Sequence, residues 1–363
     1  MEYDIISKSQ DLESLKADWE RIEKTSETYT YFSSFQYNVN WCKTNSNSKS
    51  KLFIIKISQN NKVVGIAPLQ ISKHKGKLIS NNVIEFINAG DYTDFLIDFN
   101  AEVKHIKVIS KIFDVIQDHR NEWEEINLTN ISNNSLLSYY LLSSNYNNKY
   151  KITTEVPFIN FNIYNSLDEY RKLFLPRKVK QYVNKLRREV NVELKVTRKN
   201  VIDDISKIHI SEKEYLLKKG IKNRRSIFDN QDKYHFLKEL YTENENVLTY
   251  ILINKDEGDE IVCYYTGFVF NGRFHSYNTA YNPKYERFSV GKIFNSLIFE
   301  ANEKENLWDV FDMGAGRYAW KFEWTNTYNM LYELNYENYK TKKMKFLSKI
   351  EKILSTTKHI LKN

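Results

Sequence analysis

The chain has 363 residues, 41% of them hydrophobic, which excludes a disordered composition and leaves room for about two domains with sizeable cores. Its 4 Pro, 10 Gly and 2 Cys exclude fibrous, linker-rich and disulfide-framed architectures, and the isolated Cys42 and Cys263 form no CxxC pair for structural zinc. The formal net charge of +8 suits an anionic ligand, an anionic surface or plain lysine-rich solubility, and the placement of the charge must choose between them.

Met1–Gln10 shows no basic stretch followed by an apolar one, and no run approaches the ~18 apolar residues of a membrane span, so a cytoplasmic protein is expected. In the first half, Lys51–Ser58 and Lys62–Ser72 read as strands joined by an Asn60-Asn61 turn. Val83–Phe99 holds two more apolar runs around Gly90. Val103–Arg120 has helical spacing through Val103, Ile106, Ile109, Phe113 and Ile116. Trp123–Leu128 reads as a short strand and Ser135–Ser144 as a short helix.

Asp168–Asn200 is strongly basic, through Arg171, Lys172, Arg177, Lys178, Lys180, Lys185, Arg187 and Arg188. Pro176 suits a first helical turn, and Val179, Val183, Leu186 and Val190 form an apolar stripe behind it. The basic face is either solvated or set against phosphates. No helix-turn-helix, zinc-finger or RNP-type aromatic motif accompanies it, so no specific nucleic acid is expected. In the second half, Val247–Ile253 and Ile261–Phe270 read as strands, and an Asn271-Gly272 turn leads into Phe274–Ala280. Ser289–Asn302 is helical and Leu307–Asp312 a strand. The order of antiparallel strands, a helix and a further strand thus occurs twice, without sequence identity between the copies. The last segment, Tyr339–Asn363, spaces its apolar residues helically among many lysines, which suits packing on the domain or an anionic membrane surface.

Two stretches carry chemistry. Tyr285–Lys292 joins a strand to a helix, and a helix N-terminus offers backbone N–H groups to a phosphate. Gly291 permits close approach there, while Ser289 alone reads as an ordinary N-cap. The second is Trp308–Trp324, where a strand ends at Asp312 before two glycines and an aromatic cluster. A carboxylate at a rigid strand end beside an exposed loop is a common site position, and a structural turn-capping Asp is the plain alternative. The seven histidines are scattered without HxH or HExxH, so no metal is expected.

The spacing Asp312-x3-Gly316-x3-Trp320-Lys321-x2-Trp324 resembles the D-x3-G-x3-(Y/W)-K-x2-W signature of CelD-like GNAT acyltransferases, relatives of the FemAB-type peptidoglycan transferases. Tyr285…Ser289-Val290-Gly291 resembles their Y-x3-S-P-G segment, with Val290 where Pro is usual. Gly90-Asp91-Tyr92-Thr93-Asp94-Phe95-Leu96 resembles their G-x-DY-x-D-x-L segment, and His209 resembles a family histidine whose following tryptophan is missing here.

The resemblance implies an α/β fold of tandem GNAT-like domains, with mixed, mainly antiparallel sheets flanked by helices. It implies an N-terminal half over 1–160 that shapes the acceptor pocket, an acyltransferase domain over 161–338, and the basic C-terminal helix at 339–363. Acetyl-CoA or another acyl-CoA would lie between splayed strands, with Ser289, Val290, Gly291, Lys292 and Tyr277 holding it. The first half, with Phe99-Asn100-Ala101-Glu102 before its helix, lacks a matching glycine loop, so one donor site is expected. The acceptor would be an amine, a small-molecule or lipid-linked sugar of surface-polysaccharide synthesis. Asp91, Tyr92, His209, Tyr318 and Trp320 would contact it. Asp312 is the first candidate base, Asp94 and Asp91 are alternatives, and Lys321 would fix Asp312 or hold a negatively charged acceptor. Two other readings stand beside this: a FemAB-like transferase using charged tRNA, and a non-catalytic glycan-binding module. Peripheral contact with an anionic membrane would run through 339–363.

Overall fold

Asn60 and Asn61 adopt φ of 51° and 59°, and Asn271 and Gly272 adopt 48° and 70°, the left-handed pair that closes a two-residue hairpin. These two turns set the strand pattern of two compact units, Met1–Thr153 with the chain from Met330 onward, and Thr154–Asn329. The computed structural model describes residues 1–44, 50–75, 80–175, 177–222 and 224–338. The expected basic helix at 339–363 and Pro176 lie outside the described residues.

The first unit runs β1 (Glu2–Ile6), α1 (Lys16–Ile22), α2 (Phe35–Thr44), β2 (Ser50–Leu52), β3 (Ile54–Gln59), β4 (Lys62–Ala67), β5 (Leu69–Lys75), β6 (Ser80–Phe86), β7 (Leu96–Ile97), α3 (His105–Asp118), β8 (Glu125–Ser132) and α4 (Leu136–Ser143). The two long strands expected at 51–58 and 62–72 are each broken in two. Phe53 leaves its strand to donate its N–H to the Leu69 carbonyl at 2.8 Å, and Pro68 has no N–H to extend the ladder. The break at Phe53 hands the chain from the pairings β2-β5-β6-β8 to the sheet β1-β3-β4-β7, and the break at Pro68 hands it back. Helix α3 buries Val108, Ile109, Ile112, Phe113 and Ile116, the stripe that its 3.6-residue period predicts.

β6 and β8 run parallel through Val83↔Glu125 and Ile84↔Ile126, with α3 as part of the crossover between them. Thr93 bridges to Ile131, and Leu96 and Ile97 add to β4. Gly90 lies so close to Phe32 that a Cβ there would meet its ring at 2.7 Å.

The second unit begins within β9 (Tyr150–Asn160) and continues through α5 (Leu167–Phe174), α6 (Arg177–Glu189), β10 (Val192–Thr197), α7 (Ile202–Lys218), α8 (Gln231–Tyr241), β11 (Val247–Asn254), β12 (Glu260–Phe270), β13 (Arg273–Tyr281), α9 (Val290–Glu305) and β14 (Val310–Asp312). The chain then returns to the first unit in β15 (Tyr328–Glu337), whose residues from Leu331 on pair with β8, although the second half was expected to run to residue 338. The sheet order of the second unit is β10-β11-β12-β13-β14-β9, antiparallel except for β13 and β14. Its core sets Ile293, Phe294, Leu297 and Ile298 of α9 against Phe274 and Phe311, whose rings stack at 5.4 Å. Each such side chain contributes about 1.5–3 kcal/mol on burial. The strand expected from Leu307 starts only at Val310. Asn302 near the end of α9 accepts the Leu307 and Trp308 N–H groups at 3.0 and 3.3 Å, and so holds those residues off the sheet.

Candidate active site

The parallel pair β13–β14 has three rungs and stops at His275↔Asp312. β13 goes on for six more residues to Tyr281, while the other chain turns away through Met313–Tyr318. The two strands therefore splay. Just past the last rung, β13 carries an extra residue: Thr266 pairs with Asn278 and Gly267 with Ser276, which leaves Tyr277 as a bulge. Bulges twist a strand and re-aim its groups, and this one sits where the edge opens. Gly267 is required opposite it, because a Cβ there would run into the His275 carbonyl oxygen.

A cavity of about 280 Å³ occupies the splay. It lies near the lower end of the ~300–1,000 Å³ usual for small-molecule sites. Thr279, Ala280 and Tyr281 form one wall, Trp320, Glu323 and Trp324 another, and Cys263 and Tyr265 of β12 also line it. Gly291, Lys292, Phe294 and Asn295 bring in the first turns of α9. Val179 of α6 and Glu212 of α7 complete the lining.

The start of α9 is shaped for a ligand. Ser289 takes the left-handed conformation at φ 53° and makes no side-chain cap, while its carbonyl accepts the Lys292 N–H at 2.8 Å. Helix geometry leaves the Val290 and Gly291 N–H groups without an intrahelical acceptor. A Cβ at Gly291 would meet only Tyr281 Cδ1, at 3.7 Å, so the space above this turn is open. The Lys292 side chain is exposed at the same turn, and Val290 is fully buried beneath it. These features fit the diphosphate of a nucleotide thiol ester: backbone donors, a positive dipole end, a cation and no obstructing side chain.

Asp312 sits at the apex and is 1% exposed. Its Oδ1 accepts the Gly314 N–H at 2.9 Å, and its Oδ2 lies 3.2 Å from Arg273 Nη1 and 3.8 Å from His275 Nδ1. Burial pushes the His275 imidazole down to about 3, with Asp312 opposing the shift and Arg273 adding to it. Lys321 is buried and donates to the Gly314 and Ala315 carbonyls at 2.6 and 3.1 Å. The two ends of the Asp312–Lys321 motif thus grip one glycine loop from both sides. Trp324 closes it: its N–H donates to the Lys321 carbonyl, and its carbonyl accepts Tyr170 Oη at 2.8 Å. Asp312 itself is not among the residues lining the cavity.

The remaining expected residues fall as follows. Tyr277, at the bulge, turns its ring toward Phe268, 5.5 Å away, rather than lining the cavity. Tyr318 is exposed and packs over Gly316, and Trp320 is part of the cavity wall. His209 is buried, with Nδ1 2.7 Å from Ser226 Oγ, which caps the turn at Ile227–Asp229. Burial, aided by Lys213, pushes its imidazole down to about 3, so it serves as a neutral structural hydrogen-bonding group. Asp91, Tyr92 and Asp94 belong to the first unit. There Tyr92 is buried near Phe32, and Asp94 accepts the Phe95 N–H at 2.8 Å, its carboxyl pushed up to about 8 by burial.

Sequence reasoning missed Glu212. It lies on the buried stripe of α7 with Ile202, Ile205 and His209, at spacings of three and four residues. A glutamate on an apolar stripe was the available signal. Among the described residues, no group of His, Cys, Asp and Glu is placed to hold a metal ion, and no helix is long and apolar enough to cross a membrane.

Residues 176–322 match the family described as an acetyltransferase (GNAT) domain. Over its length the chain is similar in structure to FemX, with 9% identity, 96% of this chain and 99% of that one covered, and a TM-score of 0.60. It is also similar to the C-terminal domain of a putative lysylphosphatidylglycerol synthetase from Agrobacterium fabrum, at 11% identity, coverage of 90% and 92%, and a TM-score of 0.51. No curated protein matches it in sequence. A parallel strand pair that splays beside an open helix N-terminus lies inside the segment that matches this family, and residues 176–322 thus form a domain of the GNAT acetyltransferase type.

Proposed function

We propose that the protein transfers an acyl group from an acyl-CoA to a primary amine, in the splay between β13 and the 313–324 segment. The observation that carries this reading is the continuity of the cavity from the β13 edge to the first turn of α9 at Gly291. The donor brings an activated thioester. The chain supplies the rest: the Val290 and Gly291 amides and Lys292 hold phosphates, and the cavity walls enclose the pantetheine arm. An N–H on the open edge of β13 near Tyr277 stabilises the developing oxyanion. Asp312 and Lys321 position the loop that forms the far wall. The amine attacks the carbonyl carbon, the C–N bond forms, the C–S bond breaks and the thiolate leaves.

The motif resemblance supports an amino sugar or a related precursor of a surface polysaccharide as acceptor. The exposed lysines 178 and 180 flank Val179 at the cavity and support a second reading, in which the donor is an aminoacyl ester of charged tRNA. The name of the lysylphosphatidylglycerol synthetase relative points the same way. Trp320 and Trp324 line the cavity and provide the test. Their fluorescence, isolated by Trp320→Phe and Trp324→Phe controls, should change on addition of acetyl-CoA. A change with charged tRNA and none with acetyl-CoA would select the second reading.

A further inference from the structure

We propose that Tyr265 is the inner wall of the cleft and limits the transferred group to a short acyl chain, of acetyl or propionyl size rather than a fatty one. The inference rests on the acyl-transfer reading and names the donor class of the same site.

The strand register places the wall. Side chains directly opposite one another across an antiparallel pair share a face of the sheet. Cys263 pairs with Tyr281 and Tyr265 with Thr279, and all four line the cavity. On the same face past the bulge, Gly267 pairs with Ser276 and Val269 with Phe274, and none of these four lines it. The cavity therefore runs along this face from Tyr281, which lies beside Gly291, to the Tyr265 ring, and stops there.

The wall is fixed. Tyr265 is 5% exposed, and its ring packs 5.5 Å from Phe311 and 6.2 Å from Phe274, both fully buried on the rung where β13 and β14 still pair. Burial pushes its hydroxyl up to about 12, so it stays uncharged at neutral pH. The reacting carbonyl, at the β13 edge near Tyr277, lies at this inner end of the cleft. Acyl carbons beyond the carbonyl therefore have the Tyr265 ring in front of them. The cavity of about 280 Å³ must also take the pantetheine arm, which leaves no volume in reserve for a long chain. Against a packed wall each methylene too many costs ~10-fold or more. Behind the ring stand Phe274 and Phe311, an apolar space that a longer chain could enter once the ring is gone.

Calorimetric titration of free CoA, acetyl-CoA and octanoyl-CoA into the wild type, Tyr265→Phe, Tyr265→Leu and Tyr265→Ala reads the wall without the acceptor. The wild type should bind acetyl-CoA at least ~10-fold more tightly than octanoyl-CoA. Tyr265→Phe keeps the ring and should keep that ratio. Tyr265→Leu and Tyr265→Ala should bind octanoyl-CoA as tightly as acetyl-CoA or more tightly, with the affinity for free CoA unchanged. Tyr265→Ala also removes core packing, so Tyr265→Leu, titrated below its Tm, decides the matter should the smaller variant not fold. Equal binding of the two thioesters by the wild type overturns the proposal. So does a wild-type ratio that persists in Tyr265→Leu, or a loss of free CoA affinity equal to that for acetyl-CoA. Each of these outcomes leaves the donor reading intact, because the wild type still binds acetyl-CoA. Absence of binding of CoA and of both thioesters by the wild type overturns both.

Discussion

Asp312 Oδ1 accepts the Gly314 N–H at 2.9 Å, two residues beyond the last rung that β14 makes with β13. That bond turns the chain away from β13, and the cavity lies farther along, between Thr279–Tyr281 of β13 and Trp320–Trp324. Asp312→Ala removes it and leaves Arg273, which is 21% exposed, without its carboxylate. The expected cost is about 2–4 kcal/mol in urea unfolding. Asp312→Asn retains an oxygen for Gly314 and should recover part of that loss. Equal stability of both variants with the wild type would remove Asp312 from its positioning role.

Lys321 grips the same loop through the Gly314 and Ala315 carbonyls. Lys321→Met keeps the aliphatic bulk and leaves both acceptors without the ammonium. It should cost about 1–3 kcal/mol and weaken acetyl-CoA binding more than Tyr318→Ala does. Thermal unfolding and fluorescence titration measure the two effects.

Gly267 faces the bulge at Tyr277, and no β-carbon fits between it and the His275 carbonyl. Gly267→Ala should destabilise by about 1–3 kcal/mol through strand displacement. The displacement would move the β13 edge, so kcat should fall more than the stability loss alone explains at temperatures where the protein stays folded.

Asp94 gives a pH signature in the first unit. Burial holds its carboxyl up at about 8, against 3.8 for the free group. Between those values the folded chain keeps a proton that the unfolded chain has lost, so stability falls as pH rises through this window, by roughly 1.4 kcal/mol per pH unit at most. Asp94→Asn should flatten that slope and raise Tm at pH 8 relative to wild type, while the two converge near pH 4. Parallel Tm–pH curves for the two proteins would contradict the burial argument.

Much of this was legible in the chain. The Asn60-Asn61 and Asn271-Gly272 turns announce their hairpins, since both require left-handed backbone. The spacing from Asp312 to Trp324 also has a local physical meaning, because its acid, its lysine and its last tryptophan tie down one glycine loop. Other features were not legible because their causes are distant in sequence. Arg273 reaches Asp312 from 39 residues upstream. The first unit stops its strands at Phe53 and Pro68 because two sheets compete for them. Glu212 passed unnoticed because its helix reads as ordinary until α7 is seen against the cleft.

The most direct measurement is calorimetric titration of acetyl-CoA into the wild-type protein and into Gly291→Val. A Cβ at residue 291 has room, its nearest neighbour being Tyr281 Cδ1 at 3.7 Å, so the variant should fold normally and place its methyl groups where the diphosphate would lie. The account predicts one acetyl-CoA per wild-type chain and at least ~10-fold weaker binding in the variant, a loss of about 1.4 kcal/mol, at unchanged Tm. Failure of the wild type to bind, or equal binding by both proteins, would contradict it.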